Sequence, residues 1–155
     1  MKNLKQINWY QETYHTLQKV FWGQIVAILV LFMFAQFTLP RAEGQPLALN
    51  DAESLQMLLS IAGLGLCFIA MVLNQGLLKP KRVKIACQQN REQQHLMLSF
   101  VLTWSLAFSC ALCGFGLAWQ LNQASHFSLF AVIAVLTILA HPFTEGRVKR
   151  ALSFK

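Results

Sequence analysis

Charge is what this chain has least of. Only 12% of its 155 residues are charged, against about 25% in an average soluble domain. So few charges do not cover a water-facing surface. Cysteine is also scarce: four residues are too few for a secreted disulfide scaffold. No phosphate-cradling glycine loop, H-E-x-x-H zinc motif or G-x-S-x-G elbow occurs. What is abundant is apolar: hydrophobic residues make up 55% of the chain, which excludes disorder.

The missing charge is missing in blocks. No Asp, Glu, Lys or Arg occurs over residues 20–40, 54–78 or 93–144, runs of 21, 25 and 52 residues. A membrane-spanning helix needs about 20 predominantly apolar residues. The first two runs each hold one, and the third holds two, broken by the polar stretch QLNQASH at 120–126. The sequence predicts an all-α membrane protein, an antiparallel bundle of four transmembrane helices over about 21–39, 55–78, 96–119 and 127–143, forming a single integral membrane domain over 1–155. The fourth span is the shortest.

The charges that remain are one-sided. Residues 77–96, LLKPKRVKIACQQNREQQHL, carry five of the 13 basic residues. With four spans, the N-terminal segment, the 79–95 loop and the 144–155 tail share one side, which holds 12 basic residues. The other side has only Arg41, against Glu43, Asp51 and Glu53. Positive loops stay cytoplasmic, so both ends and the middle loop are expected in the cytoplasm. The compact size and strong asymmetry point to a bacterial inner membrane. The net charge of +7 is therefore a topology signal. Nucleic acid is not an expected partner, because no basic face on a folded surface accounts for the charge. Membrane lipids are: Lys79, Lys81, Arg82, Lys84, Arg147, Lys149 and Arg150 would meet anionic headgroups, each with about 1 kcal/mol of attraction.

Ahead of the first span, Leu4, Ile7, Tyr10, Tyr14, Leu17 and Phe21 fall on one helical face. This predicts an amphipathic N-terminal helix over 1–20. Two placements fit it, on the membrane surface or as an extension of the first span. Trp9, Tyr10, Tyr14 and Trp22 favour the interfacial one. The flank is too long for the n-region of a signal peptide, so the first span is read as retained. Pro40, Gly44 and Pro46 mark an outer turn, and Asn50 or Asp51 offers an N-cap for the second span. The second outer connection is short enough to make spans three and four a tight hairpin.

Two patterns could carry chemistry. Glu12 and His15, and again Glu92 and His95, form Glu-x-x-His pairs, whose two members share a helical face. Two such pairs grip a di-metal centre in some bundles, with further carboxylates. Those carboxylates are absent from the spans, so solvated headgroup-level residues are the preferred reading. Cys110 and Cys113 form a C-x-x-C. Four-span enzymes that oxidise thiols with a quinone also need exposed cysteines in an outer loop, and both outer loops lack them. Packing explains the motif better: Cys110, Gly114 and Ala118 recur every four residues, and Gly63 and Cys67 repeat the spacing in the second span. Such small-residue ridges let helices approach closely, which predicts a tight crossing of spans two and three.

No ionisable group lies at the centre of a span, where a coupled carrier normally keeps one. Gln24, Gln36, Asn74 and Gln75 lie near span ends, within reach of headgroups and water. Thr103, Ser105 and Ser109 are expected to bond back to their own helix. His141 lies at an inner helix end, beside a proline that stops or kinks the helix. The expected function is non-enzymatic and cofactor-free: an accessory or scaffold subunit, in a homo-oligomer or larger membrane complex. The alternatives are a small transporter or anionic-lipid-binding protein and, further off, a thiol–quinone or metal-dependent enzyme.

Overall fold

The structure, a computed structural model, describes residues 2–39, 52–89, 91–121 and 123–144; within them the side chains of residues 2–10, 52, 53, 80 and 92 are left out. The described residues form five helices and no strand: α1 (Lys2–Thr38), α2 (Ala52–Leu77), α3 (Pro80–Gln88), α4 (Glu92–Leu121) and α5 (Ala124–Ala140). Three stretches are long and apolar enough to cross a membrane: Gln11–Thr38, Ser54–Leu77 and Gln93–Leu121. The fourth apolar helix, α5, has 17 residues. At 1.5 Å per residue it is about 26 Å long, against a hydrocarbon core of about 30 Å.

The N-terminal segment corrects the favoured interfacial placement. No separate surface helix precedes the first span; α1 is one unbroken helix of 37 residues, about 55 Å long. Neither proline nor any glycine before Gly23 interrupts it. The apolar face runs straight through the junction, since Leu17, Ile25, Ile28 and Ala35 are all buried in one core.

The basic segment 79–95 is not a plain loop either. It contains α3 and the first turn of α4. Pro80 stands in the first turn of α3, where a missing N–H costs nothing and the fixed φ suits a helix. Val83 and Ala86, three apart, are buried, while Lys81, Arg82, Lys84 and Ile85 face out. α3 is thus a short amphipathic helix that packs on α4.

α4 is the centre. Of its apolar window, 44% is buried, against 17% in each of α1 and α2. It packs against all four other helices. α5 touches both α1 and α2, which themselves barely meet. In cross-section α1, α5 and α2 occupy three successive sides of α4 and leave a fourth side open. The core is mostly aromatic and alanine: Phe100, Trp104, Ala107, Ala111 and Phe127 are fully buried.

The hairpin between α4 and α5 is tighter than QLNQASH suggests. Only residues 122 and 123 separate the helices, and the Gln123 N–H donates to Ala118 O at 3.0 Å. α5 begins and ends three residues earlier than the sequence predicts. Its end is set by Pro142, which disfavours α-backbone in His141; His141 has φ −121° and ψ 55°.

Candidate functional sites along the central helix

At the basic end, α3 and α4 enclose an open cleft of about 340 Å³. Arg82 and Gln89 from α3 face Arg91, Gln94 and His95 at the start of α4. Leu77, Ile85, Ala86 and Leu98 form its apolar wall. The turn between the helices is fixed by backbone bonds: Gln89 N–H to Ile85 O at 3.1 Å, Arg91 N–H to Ala86 O at 2.9 Å, and His95 N–H to Arg91 O at 2.9 Å. His95 also ties the cleft to α2, since its Nε2–H donates to Leu77 O at 2.9 Å. That bond satisfies a last-turn carbonyl of α2, which has no partner within its own helix. Of the headgroup residues expected from sequence, Arg82 lines the cleft, while Lys79, Lys81 and Lys84 are exposed outside it. Arg147, Lys149 and Arg150 lie outside the described residues, as do Arg41, Asn50 and Asp51. Sequence reading passed over Arg91 as a site residue. The signal was its place one residue before α4, where its carbonyl accepts the His95 N–H.

Glu12 and His15 lie on the exposed face of α1, and the His15 ring meets Tyr14 edge-on at 6.0 Å. Among the described residues, no group of three or more His, Cys, Asp or Glu side chains is placed to hold a metal. Gln93 instead bridges α4 to α1, donating from Nε2 to Thr13 Oγ1 at 2.9 Å.

Deeper in, α2 and α4 share a polar seam. Asn74 is only 3% exposed, and its Nδ2 donates to Thr103 Oγ1 at 3.1 Å. Thr103 in turn donates to Ser99 O at 2.7 Å, and Ser99 to Leu96 O at 2.8 Å. The expectation that water or headgroups satisfy Asn74 is thereby corrected: a buried amide has found a side chain across the helix interface. Thr103 and Ser109 do bond back to their own helix.

The small residues sit in the half of the bundle away from the basic end. Cys67, Cys110 and Ala118 are buried. The thiols of Cys67 and Cys110 meet across the α2–α4 interface, and Thr137 of α5 reaches the Cys67 sulfur at 3.7 Å. None of the four cysteines forms a disulfide. Gly63 and Gly114 have a common neighbour that sequence reading did not identify, Phe130 of α5. A Cβ on Gly63 would stand 2.6 Å from the Phe130 ring edge, and one on Gly114 would strike Phe130 at its own Cβ. The two glycines hollow out adjoining helices around one ring.

α5 closes in an aromatic nest. Trp104, fully buried, donates from Nε1 to His141 O at 3.0 Å, and His141 Nδ1–H donates to Thr137 O at 2.9 Å. Phe143 then stacks edge-on to Phe100 at 5.0 Å. A side cavity of about 200 Å³ opens here, beside Gln18, Trp22 and Pro142.

Comparison with protein-family models, with curated proteins and with solved structures gave no match for this chain.

Proposed function

We propose that this chain is a four-span inner-membrane protein, with both ends and α3 on the cytoplasmic side, that acts without catalysis as an accessory or scaffold subunit of a membrane assembly. One observation carries the reading: the open side of α4 between α1 and α2. Leu102, Ser105, Ser109, Leu112 and Gly116 recur at spacings of 3, 4, 3 and 4, the seam pattern of a helix that receives another helix. Leu112 is exposed, and a Cβ on Gly116 would meet nothing within 4 Å. Small residues at this depth let a further membrane helix approach closely, whether from a second copy or from a larger partner. α5, though short, completes the even number of crossings that puts both termini on the basic side.

Gentle detergent extraction followed by mass measurement tests this. A dimer or a co-purifying membrane subunit is expected, and Gly116→Leu should disperse it. A lone stable monomer from native membranes would overturn it. The second reading, a protein that binds anionic lipid or transports a solute, draws on the basic cleft between α3 and α4.

A further inference from the structure

We propose that the α3–α4 cleft is a site for one anionic phospholipid, its phosphate held between Arg82 and Arg91 and its acyl chains lying over Ile85 and Leu98. The proposal deepens the lipid-binding reading and depends on the basic end meeting the headgroup layer.

Charge supports it first. Two guanidinium groups line one cavity, one from α3 and one from the residue just before α4, and the described lining includes no carboxylate. Arginine forks match phosphate oxygens in pairs and are the usual choice where planar, two-point recognition matters. Gln89 and Gln94 add amide donors for a glycerol or other polar headgroup. The cleft volume of about 340 Å³ suits a headgroup rather than a bare ion.

The apolar wall selects the source of the phosphate. Ile85 is 53% exposed and Leu98 59% exposed, directly beside the arginines. A soluble phosphate ester leaves both bare, whereas a lipid covers them with its chains. The site is also built rather than draped. α3 is anchored through buried Val83 and Ala86, and Arg91 is held by backbone bonds on both sides. Lys81 and Lys84 sit on the same helix but outside the cleft, which supplies an internal control of equal charge.

The test uses the full chain in a neutral detergent, where no charged surface exists. Native mass spectrometry is run against phosphatidylglycerol, phosphatidylcholine and soluble glycerol phosphate. One phosphatidylglycerol should bind per chain, with phosphatidylcholine weaker by about tenfold. Arg82→Gln/Arg91→Gln should weaken phosphatidylglycerol by about tenfold or more, and Lys81→Gln/Lys84→Gln by less than about twofold. Arg82→Lys/Arg91→Lys keeps charge and fold but loses the fork, and should fall between them. Equal losses in the two glutamine pairs would overturn the site in favour of unlocalised attraction. Equal binding of phosphatidylcholine would reduce it to an apolar groove. Displacement of the lipid by glycerol phosphate would assign the cleft to a soluble ester. Release of the wild-type protein from membranes by alkaline carbonate would instead remove the membrane placement itself, a different failure.

Discussion

The two halves of α4 hold their neighbours by different means. From Gln93 to Trp104, partners are joined by hydrogen bonds: Gln93 to Thr13, His95 to the Leu77 carbonyl, Thr103 to Asn74, and Trp104 to the His141 carbonyl. From Ala107 to Ala118 the same helix works by shape: apart from Leu117 its buried positions are Ala, Cys and Gly, and Phe130 fills the space. With lipid as the proposed solvent, the difference has a physical cause. In lipid there is no hydrophobic gain on bringing apolar helices together, so association needs either close packing or polar pairs. Close packing tolerates no added atom, whereas a polar pair in lipid contributes modestly because the separated helices find other partners. The half from Ala107 to Ala118 should therefore be the brittle one.

Four sets of variants can break or sharpen that contrast, read as unfolding free energy in mixed micelles. Gly114→Ala should cost most, up to about 3 kcal/mol, because the new Cβ meets the Cβ of Phe130, which moves only with the α5 backbone. Gly63→Ala should cost less, about 1 kcal/mol, since its tight contact is with the ring edge of Phe130, and the Cys113 Cβ is farther off at 3.3 Å. Trp104→Phe keeps the apolar bulk but strands the His141 carbonyl in an apolar nest, at about 2 kcal/mol. Asn74→Leu and Thr103→Val should show a double-mutant coupling of about 0.6 kcal/mol. Gly65→Ala and Gly116→Ala, which meet nothing within the chain, should be neutral or stabilising by up to about 1 kcal/mol in the monomer. If Gly114→Ala costs less than the Asn74–Thr103 coupling, the contrast between the halves is wrong.

The three long apolar helices were legible because absence of charge is a one-dimensional signal, and residues 54–78 bracket α2 almost to the residue. The stop at Pro142 was legible for a local reason, since proline restricts the residue before it. α3 was not, because nine residues between basic side chains show too few apolar positions to establish a period. The run of α1 through residue 20 was ambiguous because an amphipathic face looks the same on a membrane surface and on a helix that continues into a bundle. The Asn74–Thr103 bond was hidden for a deeper reason. It depends on which turn of α2 faces which turn of α4, and the glycines that admit Phe130 to that interface lie in the other half of the bundle. Gly63 and Gly114 could be picked out as small, but nothing in one helix's sequence names the ring that fills the hollow.

If α5 crosses the membrane as proposed, its brevity has a consequence for the lipid beside it. A crossing helix about 4 Å shorter than its hydrocarbon layer is accommodated when the lipids beside it tilt and the leaflet dips. On the four-span reading that dip lies only where α5 meets the lipid, so the protein would carry a lopsided collar of compressed lipid. Copies floating in a thick, ordered membrane would lower that deformation by crowding those collars together or by drifting toward thinner patches.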